Sequence, residues 1–427
     1  MNILWQNEHY PDVVKGGGGA INTYYIVRSM LTQGHNVLIL SQGGEQESLK
    51  NEHVNGTPVL RMPKPRLPGK LWPLWPCLES YYLRRPLSDI CGPFDGFVAI
   101  DAPYALTMKR LYPSRPLVYR VEATVRSHAA AVPDDPRTRG FSFNERKLNA
   151  LSKIMTYENE LVEQLAWKKC DALVVKSEFM RSELLKLYNL KTDKVHVIPN
   201  GVDYARYAEA KPSAATIERL GKNGTGKVVI VYCGRLVRMK NVDFLLRGFA
   251  RMRTKDRCLL VIVGDGEERI NLEKEAATLE IAGDVRFIGK TDRVEEFFAA
   301  ADIFVLPSTY EPFGNALVEA MAAGRPCVVL RPDGVQIRTA SAEIIDDGQS
   351  GYFVEPEFSA LATRLDSLVL NPGLRRVVGK RAQLVCYERY NWGNCAGEYV
   401  RLLKEAVYPA QHEKRSDTVP ALDHSKG

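Results

Sequence analysis

Short apolar runs alternate with longer segments of helical length along almost the whole chain. Each run is followed by a polar loop and then by a stretch with helical periodicity. This alternation predicts β-strands connected by α-helices, an arrangement that builds parallel sheets. The predicted strands are residues 2–5, 36–40, 97–100, 117–121, 172–175 and 195–198, then 227–233, 258–263, 285–289, 302–306, 327–330 and the end of 348–354.

A polar stretch separates the two series of strands. Residues 206–226 are poor in aromatic side chains and end in a glycine-rich run, which predicts a domain linker. We therefore expect an α/β protein with an N-terminal domain over 1–205 and a C-terminal domain over 227–385. Closing helices are predicted over 386–408. The tail 409–427 has too little apolar content to pack and is predicted to be disordered.

Composition agrees with a globular protein of this size. The 427 residues are 45% hydrophobic and 26% charged, which suits two domains. No apolar run approaches the ~20 residues of a membrane-spanning helix, and residues 1–8 lack the form of a signal peptide. The eight cysteines are scattered, without the close spacing of metal ligands. These features predict a cytoplasmic protein without structural zinc.

The net charge of +7 is concentrated in the first half of the chain, where residues 1–200 carry 26 basic and 20 acidic side chains. Within it, residues 61–85 hold six basic residues and one acid, interleaved with tryptophans and tyrosines. Such a segment suits the inner face of a membrane or the wall of an acceptor site. Ordinary packing of the segment against its own domain remains an open alternative, and so does a basic surplus without any partner.

The most informative stretch is residues 311–326, Glu-Pro-Phe-Gly-Asn-Ala-Leu-Val-Glu-Ala-Met-Ala-Ala-Gly-Arg-Pro. It lies between two apolar runs and predicts a loop and a short helix, with Asn315 as its N-cap. Glu311 then precedes the helix and Glu319 lies on its second turn. Helix N-termini favour phosphate groups, and carboxylates accept hydrogen bonds from sugar hydroxyls. The alternative is an ordinary surface loop and a solvated glutamate.

Two further loops follow predicted strands and carry chemistry suited to phosphate. Gly234 and Arg235, with Lys240 five residues on, predict a diphosphate clamp of one planar guanidinium and one ammonium. Four glycines, including Gly17 and Gly18, precede the first helix and allow close approach of the backbone to a ligand. The glycine run lacks the lysine of a P-loop and the spacing of a dinucleotide fingerprint, and a flexible turn is its simpler explanation.

Residues 311–326, together with the Gly-Arg-…-Lys loop, resemble the signature of the retaining, GT-B-type glycosyltransferases of family 4. The resemblance extends over residues 1–408. It implies two Rossmann-like domains that face a cleft, with C-terminal helices that cross back to the first domain. It also implies transfer of a sugar from a nucleoside diphosphate sugar to a hydroxyl acceptor, with the anomeric configuration retained and no metal or other cofactor.

The resemblance also assigns roles to individual residues. Glu319 is expected to bind the ribose, Glu311 the donor sugar, and main-chain groups near Ile288 the base. Many members of the family place a histidine directly after the strand 117–121, where this sequence has Glu122. The catalytic candidates are Arg235, Lys240, Glu311 and Glu122; the donor-binding candidates are Gly17, Gly18, Arg235, Lys240, Ile288, Phe313, Gly314, Asn315 and Glu319; the acceptor-side candidates are Asp101 and His128.

Two other functions remain open at this stage. A nucleotide-sugar 2-epimerase can share the same fold and would change the donor without an acceptor. A non-catalytic protein that binds nucleotide-sugars is the other alternative. Neither a nicotinamide cofactor nor a nucleic-acid partner is predicted. The expected acceptor is a hydroxyl compound, and a membrane contact through residues 61–85 would favour a lipid-linked one.

Overall fold

The structure is a computed structural model of the chain. It describes residues 1–7, 10, 18–42, 50–62, 83–84, 87–88, 90, 92–122, 157–220 and 226–407. Part of the segment 61–85 and the whole tail 409–427 lie outside these ranges, so the predicted membrane contact and the predicted disorder fall on residues that the structure does not describe.

The first half of the chain forms a sheet of eight strands in the described residues. The strand order is β3-β4-β2-β1-β5-β6-β7-β8, and every neighbouring pair is parallel except the hairpin of β3 and β4. The strands are β1 (Asn2–Gln6), β2 (Asn36–Gln42), β3 (Lys50–Val54), β4 (Thr57–Met62), β5 (Gly96–Ala99), β6 (Leu117–Arg120), β7 (Ala172–Val175) and β8 (Val195–Val197).

Helices connect these strands and cover both faces of the sheet. They are α1 (Gly18–Thr32), α2 (Ala102–Leu111), α3 (residues 157–169) and α4 (Glu178–Tyr188). The N-terminus of α4 is capped by Ser177, whose hydroxyl accepts a hydrogen bond from the Met180 amide at 3.0 Å. Serine is one of the residues preferred at the N-cap position for this reason.

The second half forms a fully parallel sheet of six strands. Its strand order is β11-β10-β9-β12-β14-β16. Successive strands are added on one side of β9 up to β11 and on the other side from β12 onward, so the direction of strand addition reverses between β9 and β12. A doubly wound sheet binds ligands outside the carboxyl ends of its strands at such a reversal. The strands are β9 (Val228–Cys233), β10 (Cys258–Val263), β11 (Val285–Gly289), β12 (Ile303–Leu306), β14 (Cys327–Leu330) and β16 (Gly351–Val354); a separate parallel pair consists of β13 (Tyr310–Glu311) and β15 (Arg338–Thr339).

The helices of the second half continue the βα alternation. They are α5 (Tyr204–Ala208), α6 (Ala214–Leu220), α7 (Val242–Ala250), α8 (Arg269–Thr278), α9 (Val294–Ala300), α10 (Asn315–Ala322), α11 (Ser341–Ile344), α12 (Phe358–Leu370), α13 (Pro372–Arg389) and α14 (Trp392–Val407). The α/β prediction and the two-sheet architecture are therefore confirmed.

Residues 206–220, the described part of the predicted linker 206–226, are not a simple linker, which corrects the prediction for that part. They contribute the end of α5 and the whole of α6, and Tyr207, Thr216 and Leu220 are buried. The Tyr207 ring lies 5.8 Å from that of Phe298 on α9. Residues 206–220 therefore pack on the second sheet. The sequence did not reveal this, because the three buried residues lie among polar neighbours.

The chain crosses back to the first sheet within a few residues near Tyr390. Helix α13 still packs on α10, where Gln383 donates to the Ala322 carbonyl at 2.9 Å. Helix α14 packs instead on the first sheet, with the Tyr399 ring 5.1 Å from that of Trp5. The predicted return to the first domain is thus confirmed for α14, and it begins later than residue 386. Among the described residues, none of the helices combines the length and apolar character that crossing a membrane requires.

Both connections between the two sheets run side by side. The Val202 amide donates to the Tyr390 carbonyl at 3.0 Å, and Val202 forms a β-bridge with Asn391. A Cβ on Gly201 would lie 2.5 Å from the backbone nitrogen of Trp392. Glycine is therefore required at 201 by the close approach of two backbones.

We expect Gly201→Ala to destabilise the fold by about 2 kcal/mol or more, because backbone atoms have to move to admit the methyl group. Gly397→Ala is the matched control: it lies within α14 with no atom near its added Cβ, so we expect a neutral or slightly stabilising effect. Urea unfolding of both variants measures this. Equal stability of Gly201→Ala and the wild type would contradict the packing described here.

Candidate functional site

The loops after β9 and β12 meet at the carboxyl ends of the second sheet. Lys240 closes a short 3₁₀ turn, Arg238–Lys240, that follows β9. Glu311 lies on β13. The Lys240 ammonium and the Glu311 carboxylate form an ion pair, and each side chain is 15% exposed. Two residues 71 positions apart, predicted separately, are thus brought together.

Arg235 stands at the start of the same loop. Its side chain is exposed and makes neither a hydrogen bond nor an ion pair with any part of the chain that the structure describes. The main chain beneath it is fixed, because the buried Tyr232 hydroxyl donates to the Arg235 carbonyl at 2.9 Å. An anchored backbone with an unpaired guanidinium is well suited to take an anionic ligand.

Two glycines that the sequence analysis did not assign hold this loop in place. Gly264, with φ of 132°, lies so close to the loop that a Cβ there would come 1.9 Å from the Gly234 carbonyl oxygen. A Cβ on Gly266 would lie 2.3 Å from the Leu236 carbonyl oxygen. The Leu236 amide donates to the Asp265 carbonyl at 2.9 Å. Their signal in the sequence was the Gly-x-Gly directly after β10.

Helix α10 begins one residue earlier than predicted. The N-cap position is Gly314, with φ of 103°, and no side chain caps the helix. Asn315 is the first helical residue, so its prediction as N-cap is wrong; its Oδ1 accepts a hydrogen bond from Asn200 Nδ2 at 2.9 Å. The Phe313 ring is buried 5.8 Å from that of Tyr390, so only its main chain is available to a ligand.

Glu319 lies on α10 near the end of α5. Burial raises the pKa of the Glu319 carboxyl from 4.5 to about 7, although a hydrogen bond from Tyr207 and the charge of Arg206 oppose this effect. A carboxyl whose pKa is close to neutral pH and that lies next to hydrogen-bond donors is typical of binding sites. Arg206 and Tyr207 were missed because they lie in the segment taken for a linker.

Ile288 lies at the edge of the same crevice, on β11. Its carbonyl accepts a hydrogen bond from Arg219 Nη2 at 2.8 Å. The neighbouring Gly289 carbonyl accepts from the Gly264 amide at 3.0 Å. Both carbonyls have protein partners here, so a base at this position has to compete with Arg219.

On the first sheet, Glu122 lies just after β6 between two cations. It forms an ion pair with Arg120 Nε at 2.7 Å and a second ion pair with Lys176. Burial alone would raise the pKa of the Glu122 carboxyl, but these two cations outweigh it and lower the pKa to about 2. Glu122 is therefore ionised across the physiological range and suits the role of a hydrogen-bond acceptor, not of a proton donor.

A chain of polar contacts leads from Glu122 to α10. The Arg120 guanidinium is almost fully buried, and its Nη2 donates to Asn200 Oδ1 at 3.1 Å. Asn200 in turn donates to Asn315. The two sheets are thereby joined through one asparagine in the connection between them.

The other first-sheet candidates are placed as follows. Asp101 caps α2, with its Oδ1 accepting from the Tyr104 amide at 3.0 Å, which gives it a structural use. Gly18 is the first residue of α1. Gly17 and His128 lie outside the described residues, so their predicted roles stay predictions.

Comparison with known families and proteins gives a consistent result. The family described as "Glycosyl transferases group 1" matches residues 215–385, and the one described as "Glycosyltransferase Family 4" matches residues 16–206. An uncharacterised glycosyltransferase of Methanocaldococcus jannaschii is 26% identical over 95% of this chain and 97% of its own length. A glycogen synthase of Mycobacterium tuberculosis is 26% identical over 93% and 92%, respectively.

Solved structures with the same fold cover nearly the whole chain. A sucrose-phosphate synthase of Thermosynechococcus elongatus superimposes with a TM-score of 0.71 and 19% identity, covering 95% of this chain and 98% of its own. The Anabaena protein HepE, in complex with UDP-glucose, gives 0.66 and 19% over 95% and 100%. At these identities the likeness concerns the fold.

We expect Glu319→Gln to change the pH dependence of stability. Below pH 4.5 the Glu319 carboxyl is protonated in both the folded and the unfolded protein. As the pH rises towards 7, the carboxyl ionises first in the unfolded protein, so the free energy of unfolding of the wild type falls by up to about 3 kcal/mol relative to the variant. Urea unfolding of both proteins at about pH 4.5 and about pH 8 measures the difference. The exposed Glu267→Gln serves as control, and a pH-independent difference for Glu319→Gln would contradict the environment described.

Proposed function

Because the chain belongs to the group 1 glycosyl transferases of glycosyltransferase family 4, we propose that it is a retaining hexosyltransferase. In this proposal it moves a sugar from a nucleoside diphosphate sugar to a hydroxyl acceptor. The observation that carries the proposal is the Lys240–Glu311 ion pair at the carboxyl ends of the second sheet, beside the unpaired Arg235 and the start of α10.

The diphosphate of the donor lies against Arg235 and Lys240. Charge develops on the departing diphosphate as the glycosidic bond breaks, and two cations with the amides at the start of α10 are placed to stabilise it. Lys240 is already desolvated by its pairing with Glu311. It therefore bridges the donor's phosphate and the carboxylate that binds the donor's sugar.

The remaining donor groups lie around this centre. Glu311 accepts hydrogen bonds from hydroxyls of the sugar, and the amides of Phe313, Gly314 and Asn315 serve the same hydroxyls. Glu319 accepts from the ribose, which favours its ionised form and offsets its burial. Ile288 contributes main-chain contacts to the base.

Retention follows from a displacement on one face of the sugar. The bond from the anomeric carbon to the diphosphate oxygen breaks, the bond to the acceptor oxygen forms on the same face, and the acceptor's proton passes to the departing phosphate. Glu122, held ionised by Arg120 and Lys176, orients the acceptor hydroxyl or a donor hydroxyl by accepting a hydrogen bond. The cations replace a metal clamp, so we propose that no metal is needed.

The proposed donor is a UDP-hexose, because HepE is described with UDP-glucose bound. The proposed setting is polysaccharide, glycolipid or glycoconjugate biosynthesis in the cytoplasm. A relative from Rhizobium meliloti that is 32% identical over 41% of this chain and 49% of its own is named as a lipopolysaccharide core glycosyltransferase. A lipid-linked acceptor, reached through residues 61–85 at the membrane surface, accords with that name.

We expect Arg235→Ala to lower donor turnover about 100-fold or more, as loss of one charge-stabilising group does. We expect Glu311→Ala to lower turnover as well, because the donor sugar and Lys240 lose the carboxylate that positions them. The assay measures release of nucleoside diphosphate from a panel of donors with mixed acceptors. Arg331→Ala and Glu355→Ala, an exposed ion pair within the same domain, are the matched controls and should leave turnover unchanged. Full activity of Arg235→Ala and Glu311→Ala would contradict the site, and a changed sugar without acceptor would indicate a 2-epimerase instead.

A further inference from the structure

We propose that the ion pair between Glu183 and Arg338 is a positioning element that holds Glu311 in its working place when the two sheets close on the donor. The inference rests on the proposed function, because it concerns how Glu311 is presented to the donor sugar. Neither Glu183 nor Arg338 is among the donor-contacting groups named above.

The ion pair joins the two halves of the molecule. Arg338 Nη2 lies 2.7 Å and 2.6 Å from the two carboxylate oxygens of Glu183. Glu183 belongs to α4 on the first sheet, and Arg338 to β15 on the second. The two side chains are only 20% and 17% exposed, so solvent screens their attraction less than at an open surface.

Arg338 is coupled to Glu311 through the main chain. Strands β13 and β15 pair so that Tyr310 lies opposite Arg338 and Glu311 opposite Thr339. The Ala340 amide donates to the Glu311 carbonyl at 2.9 Å. The short strand that carries Glu311 is therefore held by the strand that carries Arg338, and a pull on one moves the other.

The start of α4 contacts both flanks of Glu311. On one side the Ser177 hydroxyl donates to the Pro312 carbonyl at 2.6 Å. On the other, the Phe179 ring lies 6.1 Å from that of Tyr310. Ser177, which caps α4, and Phe179 within α4 therefore contact the residues on either side of Glu311 directly. Glu183 acts on the same segment through Arg338.

A second charged contact strengthens the same junction. The Glu343 carboxylate, on α11 of the second sheet, accepts hydrogen bonds from the amides of Glu178 at 2.7 Å and Phe179 at 2.6 Å. A carboxylate at a helix N-terminus satisfies amides that have no partner inside the helix. Every one of these contacts joins the two halves, so all of them are lost if the sheets move apart.

The donor-binding cations and the helix α10 belong to the second sheet alone. Loss of the Glu183–Arg338 pair should therefore leave donor affinity nearly intact while Glu311 becomes less well placed. Small misplacement of a reacting group lowers rates steeply, by as much as ~100-fold for 1 Å. We expect kcat to fall about tenfold or more in Glu183→Arg and in Arg338→Glu, with donor KM changed less than about threefold.

The test is a charge swap. Glu183→Arg and Arg338→Glu are compared with the double variant, in which the ion pair is restored in reverse, and with the milder Glu183→Gln, which keeps the shape of the side chain. The double variant should recover most of kcat. Arg331→Glu is the control, since Arg331 pairs with Asp347 and Glu355 within its own half.

Small-angle scattering of the same variants provides a readout without turnover. We expect a larger radius of gyration for both single variants and a return towards the wild-type value in the double variant. Unchanged scattering in the single variants, a double variant no better than either single one, or a loss that falls on donor KM would each overturn the proposal. If the wild type turned over no donor, the proposed function would fail, and scattering would still decide whether the ion pair holds the halves together.

Discussion

The ion pair between Lys240 and Glu311 is the interaction on which the arrangement of the site depends. It joins the loop after β9 to the short strand before α10, and thus fixes the distance between a cation and a carboxylate that the donor contacts together in the proposed complex. Both side chains are largely removed from water, so each would be costly to bury without the other. In the proposed complex, the sugar donor shares Lys240 with Glu311, because an ammonium offers three hydrogen-bond donors.

Two sets of contacts stabilise the segments that carry this pair: close packing between the loops after β9 and β10, and contacts from the first sheet. Gly264 and Gly266 let the loop after β10 lie directly against the loop that carries Arg235. The chain of Arg120, Asn200 and Asn315 and the contacts of α4 join the first sheet to the segment around Glu311. The site is therefore assembled by both halves, although the side chains proposed to contact the donor come mainly from the second.

Sequence alone predicted the parts of this picture that depend on local patterns. Strand positions and the α10 helix follow from hydrophobic alternation and turn residues. The roles predicted for Arg235, Lys240 and Glu311 came from their chemistry in loops after strands and from the family resemblance, and they stay predictions. The cap of α10 was misjudged because Gly314 can adopt a positive φ that makes a side-chain cap unnecessary. The linker was misjudged because short helices with few apolar anchors look like loops in a sequence.

Long-range pairings were beyond the reach of the sequence. Nothing near Glu183 marks it as a partner of Arg338, 155 residues away. Of the two cations that keep Glu122 ionised, Arg120 is close in sequence, but Lys176 follows β7, which only the sheet brings beside β6. An arginine at the end of an apolar strand was the one available sign of that cluster, since a buried guanidinium requires partners.

Amide hydrogen exchange with and without a UDP-hexose would show whether the donor binds at the Lys240–Glu311 pair. We expect the donor to slow exchange in three separate peptides of the second half, around residues 234–242, 285–290 and 311–319, and we expect Arg235→Ala to abolish this protection. Protection confined to the first sheet, or protection that Arg235→Ala leaves unchanged, would contradict the placement of the donor at the Lys240–Glu311 pair.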